Sequence, residues 1–168
     1  MALIIRDMGP QDMAGKAYVH WQSWREAYAG LLDERYLARR TLVRCEEMAR
    51  RWTDNTLVAE LDGRIVGFGA WGVCRDEILS LCGELHALYV LKECYGQGIG
   101  YALMNACMQR LSKYPAVILW VLDGNTRAIR FYERYGFAFD GAQQQITLGT
   151  PKTERRMIYH RNTAEQFI

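Results

Sequence analysis

Leu88-Tyr89-Val90-Leu91-Lys92-Glu93-Cys94-Tyr95-Gly96-Gln97-Gly98-Ile99-Gly100-Tyr101-Ala102-Leu103 organises the chain. The apolar run Leu85 to Leu91 that leads into it reads as a buried strand. A turn follows with glycine at alternate positions, Gly96, Gly98 and Gly100. Beyond it Ile99, Ala102, Leu103, Ala106 and Cys107 recur at helical spacing. Glycines between a strand end and a helix start let backbone N–H groups approach an anion with no Cβ in the way. The helix N-terminus adds unpaired donors and the positive end of a dipole. This arrangement predicts a cradle for a phosphate or pyrophosphate.

The glycines fall as G-x-G-x-G, which is neither the dinucleotide fingerprint G-x-G-x-x-G nor a Walker A loop. By themselves they carry little specificity. Working upstream, Leu3-Ile4-Ile5 reads as a first strand broken by Gly9-Pro10. Asp12 is the expected N-cap of a helix carrying Met13, Ala17, Trp21, Trp24 and Tyr28 on one stripe, with Gly30 ending it. A helical turn is expected around Asp33 to Leu37, and a helix with a basic outer face from Leu42 to about Trp52, capped by Thr41. That basic face reads as solvated surface. Thr56–Leu61 and Arg64–Trp71 form a hairpin about Asp62-Gly63, with Gly67 and Gly69 marking close packing or a bulge. The next strand runs from Gly83 to Val90.

Downstream, the helix after the glycine turn is expected to reach about Lys113, before Pro115 and a buried strand Ala116–Leu122. Asn125 or Thr126 caps a helix that ends at Tyr135-Gly136. Phe137–Phe139, Ile146–Leu148 and Arg156–Tyr159 read as closing strands. The order predicts one α/β (α+β mixed) domain over residues 1–168. Its sheet is mixed and mostly antiparallel, and helices flank it. A strand–helix–strand crossover makes the Val90 and Leu122 strands parallel if they are neighbours, with a cleft at their carboxyl ends.

Composition narrows the function classes. Net charge +2 gives no reason to expect nucleic acid or an acidic membrane surface. Ala2 to Ile5 is too short for a signal peptide, and no stretch approaches a membrane span, so a cytoplasmic protein is expected. Five cysteines without a C-x-x-C pair and three scattered histidines point to reduced thiols and a metal-independent protein.

A second stretch changes the weight of the first. Trp120-Val121-Leu122-Asp123-Gly124-Asn125-Thr126-Arg127-Ala128-Ile129-Arg130-Phe131-Tyr132-Glu133-Arg134-Tyr135-Gly136-Phe137, taken with the glycine turn, resembles the GNAT superfamily of acyl-CoA-dependent N-acetyltransferases. The firm resemblance covers roughly Glu84 to Phe137. It implies a GNAT-like domain with a splayed parallel strand pair at the cofactor cleft. It also implies acetyl-CoA as co-substrate, held at its pyrophosphate by the amides of Tyr95, Gly96, Gln97, Gly98, Ile99, Gly100 and Tyr101. The backbone of Leu88, Tyr89 and Val90 is implied to pair with the pantetheine arm, Asn125 to contact it, and Ala128 and Phe131 to line it. Tyr132 is implied to be the acid that protonates the leaving thiolate. The family's turn usually opens with Gln or Arg, and this chain has Tyr95 there. A main-chain cradle tolerates that departure.

Acetyl transfer to an amine needs a proton acceptor as well. Glu84 and His86, two apart on the strand, face the same side and are the two candidates for it, Glu84 ahead of His86. Trp24 and Tyr28, with Asp76 and Glu77, are placed by element order at the border of the acceptor site. The expected partner is a small-molecule or peptide amine, and the resemblance permits a homodimer. Two other readings stand beside the enzyme: a non-catalytic acyl-CoA-binding module, against which Tyr132 argues, and a toxin-type enzyme acting on aminoacyl-tRNA, against which the weak net charge argues.

Overall fold

The computed structural model describes residues 2–161. Its strands are β1 (Leu3–Asp7), β2 (Thr56–Leu61), β3 (Arg64–Val73), β4 (Cys82–Val90), β5 (Ala116–Leu122), β6 (Ala138–Leu148) and β7 (Thr150–His160). Its helices are α1 (Met13–Tyr28), α2 (Glu34–Ala38), α3 (Leu42–Arg51), α4 (Ile99–Arg110) and α5 (Thr126–Tyr135). The strands form one seven-stranded sheet in the order β1-β2-β3-β4-β5-β7-β6. Among the described residues β4–β5 is the one parallel pair.

The β2–β3 hairpin turns at Asp62 (φ 50°) and Gly63 (φ 84°), a pair of left-handed residues that matches the twist of the strands they join. Gly67 and Gly69 let α4 lie close on β3. A Cβ at Gly67 would stand 3.0 Å from Leu103 Cδ1 and one at Gly69 2.6 Å from Cys107 Sγ. The helix therefore presses Leu103, Met104, Cys107 and Met108 into the main core without a gap. α1 covers the opposite face, where His20 and Lys16 meet Phe68.

Pairing between β4 and β5 is brief. Cys82, Gly83 and Glu84 face Ala116, Val117 and Ile118, and then the strands diverge. Beyond Glu84 the β5-facing edge of β4 has no strand partner among the described residues, while its other edge stays paired with β3 through Val90. The β3–β4 register slips by one residue between Ala70 and Trp71, which leaves His86 as the extra residue of a bulge.

Three expectations are corrected. Asp12 does not cap α1. Its own φ of −92° and ψ of −5° are already helical, so its carboxylate reaches backwards, accepting from Gly9 N at 2.7 Å and from Arg6 Nη1 and Nη2 at 2.7 and 2.9 Å. The three closing strands are two strands of 11 residues each, joined at Gly149. Gln143, Gln144 and Gln145 lie within β6, at an exposed edge where polar residues are compatible with a strand, so no apolar alternation announces it. Finally, α4 stops at Arg110, with Leu111 as its C-cap, ahead of the Lys113 expected.

Candidate active site

The cleft between the diverging strands is built by four segments. At its mouth the chain leaves β4 through a 3₁₀ turn, Lys92–Cys94, and enters α4 at Gly98. Gly98 has φ +79°, a conformation in which a Cβ is strained, and a Cβ at Gly96 or Gly98 would meet open space. The first amide that α4 uses is that of Ala102, which donates to the Gly98 carbonyl at 3.0 Å. The N–H groups of Ile99, Gly100 and Tyr101 thus precede the helical ladder. Gly100 has a different role from its neighbours. A Cβ there would lie in ordinary contact with the Phe131 ring at 3.4 Å, so a larger branched side chain at this position would press on α5.

Tyr95, where the family's turn usually has Gln or Arg, is half-buried, and the Arg127 guanidinium lies over its ring at 3.5 Å. A cation therefore stands beside the turn, brought from the first turn of α5. The turn is braced from α1 as well: Glu26 Oε2 accepts from Lys92 N at 2.6 Å.

On the far wall Asn125 is the N-cap of α5, its Oδ1 accepting from Ala128 N at 3.4 Å. Ala128, Phe131 and Tyr132 are half-buried on the face of α5 that packs against the core. The Tyr132 hydroxyl has no hydrogen-bond partner among the described residues, and the Phe131 and Phe137 rings lie edge to face with the Tyr132 ring at centroid separations of 5.6 and 6.0 Å. Burial, with smaller contributions from Tyr89 and Cys107, raises its pKa well above that of an ordinary phenol. The group therefore keeps its proton.

Tyr89 turns its side chain to α1. Its hydroxyl accepts from Trp24 Nε1 at 3.1 Å and lies 3.2 Å from the Tyr28 hydroxyl. These three rings form one aromatic wall, with Trp24 and Tyr28 edge to face at a centroid separation of 4.9 Å. Burial raises the pKa of Tyr28 and of Tyr89.

Where β4 and β5 part, a hollow of about 310 Å³ opens, lined by Arg75, Asp76, Glu84, Trp120, Gln144 and Glu154. Glu84 is 1% exposed. Its Oε2 accepts from Arg75 Nε at 2.7 Å and stands 3.0 Å from His86 Nε2. Burial pushes the Glu84 pKa up, but the hydrogen bonds from His86 and Arg75 outweigh that and the net shift is downward. The carboxylate is held ionised. If His86 donates through Nε2, its Nδ1 is left to accept a proton. Glu154 takes the Gln144 amide at 2.5 Å, and Asp76 lies 3.9 Å from Arg156 Nη1.

The buried thiols take no visible part. Burial raises the pKa of Cys94, and that of Cys107 is pushed up to about 12. Among the described residues no three His, Cys, Asp or Glu side chains gather as metal ligands.

Residues 18–137 match the family model described as the acetyltransferase (GNAT) family. The chain belongs to the GNAT family. The uncharacterized N-acetyltransferase YuaI of Bacillus subtilis is 30% identical over 138 residues, 78% of each chain. An uncharacterized N-acetyltransferase of Archaeoglobus fulgidus is 38% identical over 115 residues, 64% of this chain and 76% of its own. Among solved structures, the PaiA N-acetyltransferase of Thermoplasma acidophilum, in complex with coenzyme A, superposes with a TM-score of 0.73 at 22% identity. That match covers 96% of this chain and all of the other. YncA of Salmonella typhimurium, with acetyl-CoA, has a TM-score of 0.71 at 16% identity, over 96% and 95% of the two chains. These likenesses show that this GNAT chain has the fold of proteins that hold coenzyme A.

The residues singled out from sequence divide into two groups. Leu88–Val90, Tyr95–Tyr101, Asn125, Ala128, Phe131 and Tyr132 come together around one cleft, and Glu84 and His86 meet at its inner end. Trp24 and Tyr28 meet the Tyr89 hydroxyl, and Tyr28 also lies near enough to Tyr132 and Glu154 to feel their charge. Glu77 lies on an exposed 3₁₀ turn and Asp76 on the hollow. Sequence reasoning missed Arg75, Trp120, Gln144 and Glu154. Glu154 enters because β7 inserts between β5 and β6, a strand order with no local sign in the residues. Arg127 was also missed, although its place in the first turn of a helix at the mouth of the cleft was a usable signal.

Proposed function

We propose that this GNAT chain is an acetyl-CoA-dependent N-acetyltransferase that acylates a primary amine by direct attack. The observation that carries the reading is the opening of β4 from β5 directly below an uncovered glycine turn. The residues present fit the co-substrate. The turn amides from Gly96 to Tyr101 suit a pyrophosphate, with Arg127 over Tyr95 as the nearby cation. The unpaired edge of β4 over Leu88–Val90 suits the amides of a pantetheine arm lying as a short false strand. Ala128 and Phe131 provide its apolar wall, and Asn125 serves it indirectly by fixing the start of α5.

When bound, acetyl-CoA supplies the acetyl group as an activated thioester. Tyr132 gives its proton to the departing sulfur. Its raised pKa and lack of a competing partner keep that proton available across the neutral range. At the hollow, Glu84 supplies fixed negative charge that favours the incoming ammonium form and orients His86. His86 Nδ1 then takes the proton that the amine must lose before attack. Trp120 and Glu154 shape the acceptor's side of the hollow.

The test is an amine panel assayed for free thiol release in the presence of acetyl-CoA, with mass spectrometry of the amine product. An acetylated amine whose formation tracks thiol release is the expected result. Thiol release at the same rate with and without every amine would mean that the site hydrolyses the thioester and does not transfer it.

A further inference from the structure

Beyond the cleft, a second hollow of about 300 Å³ is lined by Tyr36, Arg39, Arg40, Arg44 and Met48. It sits where α2 ends and α3 begins. Thr41 caps α3 there, accepting from Arg44 N at 3.2 Å, so the positive end of a ten-residue helix faces the same region. Three guanidinium groups share this space, and none forms an ion pair with a carboxylate among the described residues.

Arg40 is the informative member. Its guanidinium lies over the Trp24 ring at 3.7 Å, and its Nη1 reaches Met48 Sδ at 3.4 Å, a weak acceptor. Among the described residues its buried Nε has no hydrogen-bond partner. Behind it, His20 is 7% exposed and Lys16 5% exposed, and His20 Nδ1 is likewise buried without a partner. Burial first, then Lys16 and Arg40, pushes the His20 pKa down to about 3, so this interior gathers positive charge and holds His20 neutral. A buried guanidinium N–H left unmade costs more than an exposed one gains. An arrangement of this kind is relieved by an oxyanion that takes several N–H groups at once. Arg39 and Arg44 are exposed, and Arg44 Nη1 is already turned inward onto the Arg39 carbonyl at 3.1 Å. The rest of their donors are free to serve such a group.

We infer that this hollow is a binding site for a small-molecule oxyanion, a phosphate or carboxylate group, held by Arg40 with Arg39 and Arg44. It is joined to the aromatic wall through the contact of Arg40 with Trp24, which donates to Tyr89. The site itself is defined by its cations, and only the assignment of its oxyanion to the acceptor rests on the acetyl-transfer reading. The oxyanion has two possible sources. It is either a group carried by the acceptor amine or a free anion bound alongside it.

Calorimetric titration with inorganic phosphate at constant ionic strength, chloride replacing phosphate in the control, tests the site. Saturable binding is expected, weakened at least tenfold in Arg40→Gln and several-fold in Arg44→Gln. Arg44→Gln changes an exposed residue, so it keeps the test valid if Arg40→Gln fails to fold. O-phosphoethanolamine and ethanolamine titrated in parallel separate the sources. Tighter binding of O-phosphoethanolamine than of phosphate assigns the site to an acidic acceptor. Equal binding of the two, with none for ethanolamine, assigns it to a free anion. Absence of saturable binding by either oxyanion, or binding that both Arg variants retain at wild-type strength, would overturn the inference.

Discussion

In the proposed reaction Tyr132 and the Glu84–His86 pair act through opposite perturbations. Burial holds the phenol protonated, and two hydrogen bonds hold the carboxylate ionised. Tyr132→Phe removes one oxygen that bonds to nothing among the described residues. It is expected to leave the melting temperature and acetyl-CoA affinity unchanged while lowering kcat roughly 10- to 10³-fold, in the range for loss of a general acid. Because the shift is upward, Tyr132 contributes no alkaline fall in rate below about pH 10, the ordinary phenol value. A wild-type profile with such a fall that disappears in Tyr132→Phe would contradict the upward shift while tying the ionisation to Tyr132. For the pair, Glu84→Gln keeps the shape and removes the charge, and His86→Gln removes the proton acceptor. If His86 takes the proton, His86→Gln loses about 10²-fold in kcat. Glu84→Gln in that case moves the acidic limb of the pH–rate profile instead of abolishing it. Equal, pH-independent losses in both variants would point to a merely structural pair. From sequence alone the two residues were seen to share a face. That the carboxylate is already committed to Arg75 was not visible, since Arg75 reaches it from a loop.

Short segments were the most readable feature, wherever a local signal and a tertiary need coincide. The glycine turn, the Asn125 cap and the β5 strand from Ala116 to Leu122 are legible because each is specified by its own few residues. The 11-residue β6 was not, because an edge strand with a solvated face shows no apolar alternation. Glycine also hides two roles under one letter. Gly98 is needed for its left-handed φ and an open approach, while Gly100 lies against Phe131, where a small side chain fits and a branched one does not. Gly98→Val is therefore expected to weaken acetyl-CoA binding at least tenfold, because both the turn and the approach are obstructed. Gly100→Val is expected to act mainly on stability, lowering the melting temperature by pushing Phe131 away. Calorimetry with acetyl-CoA and thermal melts on both variants separate the two. Wild-type affinity in a folded Gly98→Val protein would remove the turn from the cofactor site.

Taken whole, the chain is one sheet whose middle is open. The general architecture was legible because a strand–helix–strand crossover and two hairpins leave few topologies. The insertion of β7 between β5 and β6 was not, since it follows from which edge remained free after β5 formed. A ligand spanning the opening binds only the folded state, so acetyl-CoA at a hundred times its Kd is expected to add about 2.7 kcal/mol of stability. Hydrogen exchange should slow most at Leu88–Val90 and at the start of α4. Protection confined to α1 and α3 would place the ligand elsewhere.

The brief ladder between β4 and β5 also makes a seam. Three residue pairs are the direct backbone pairing of the β1–β4 half with the β5–β7–β6 half. Side-chain packing across α4, and the ligand when present, must do the joining that a full ladder does elsewhere in the sheet. Each half keeps its own hairpins, with the turn from Leu111 to Pro115 as the crossing point. A polypeptide severed in that turn keeps every strand and helix of both halves whole. The two fragments would then be expected to find each other again, and to do so more readily with the co-substrate present as the dowel between them.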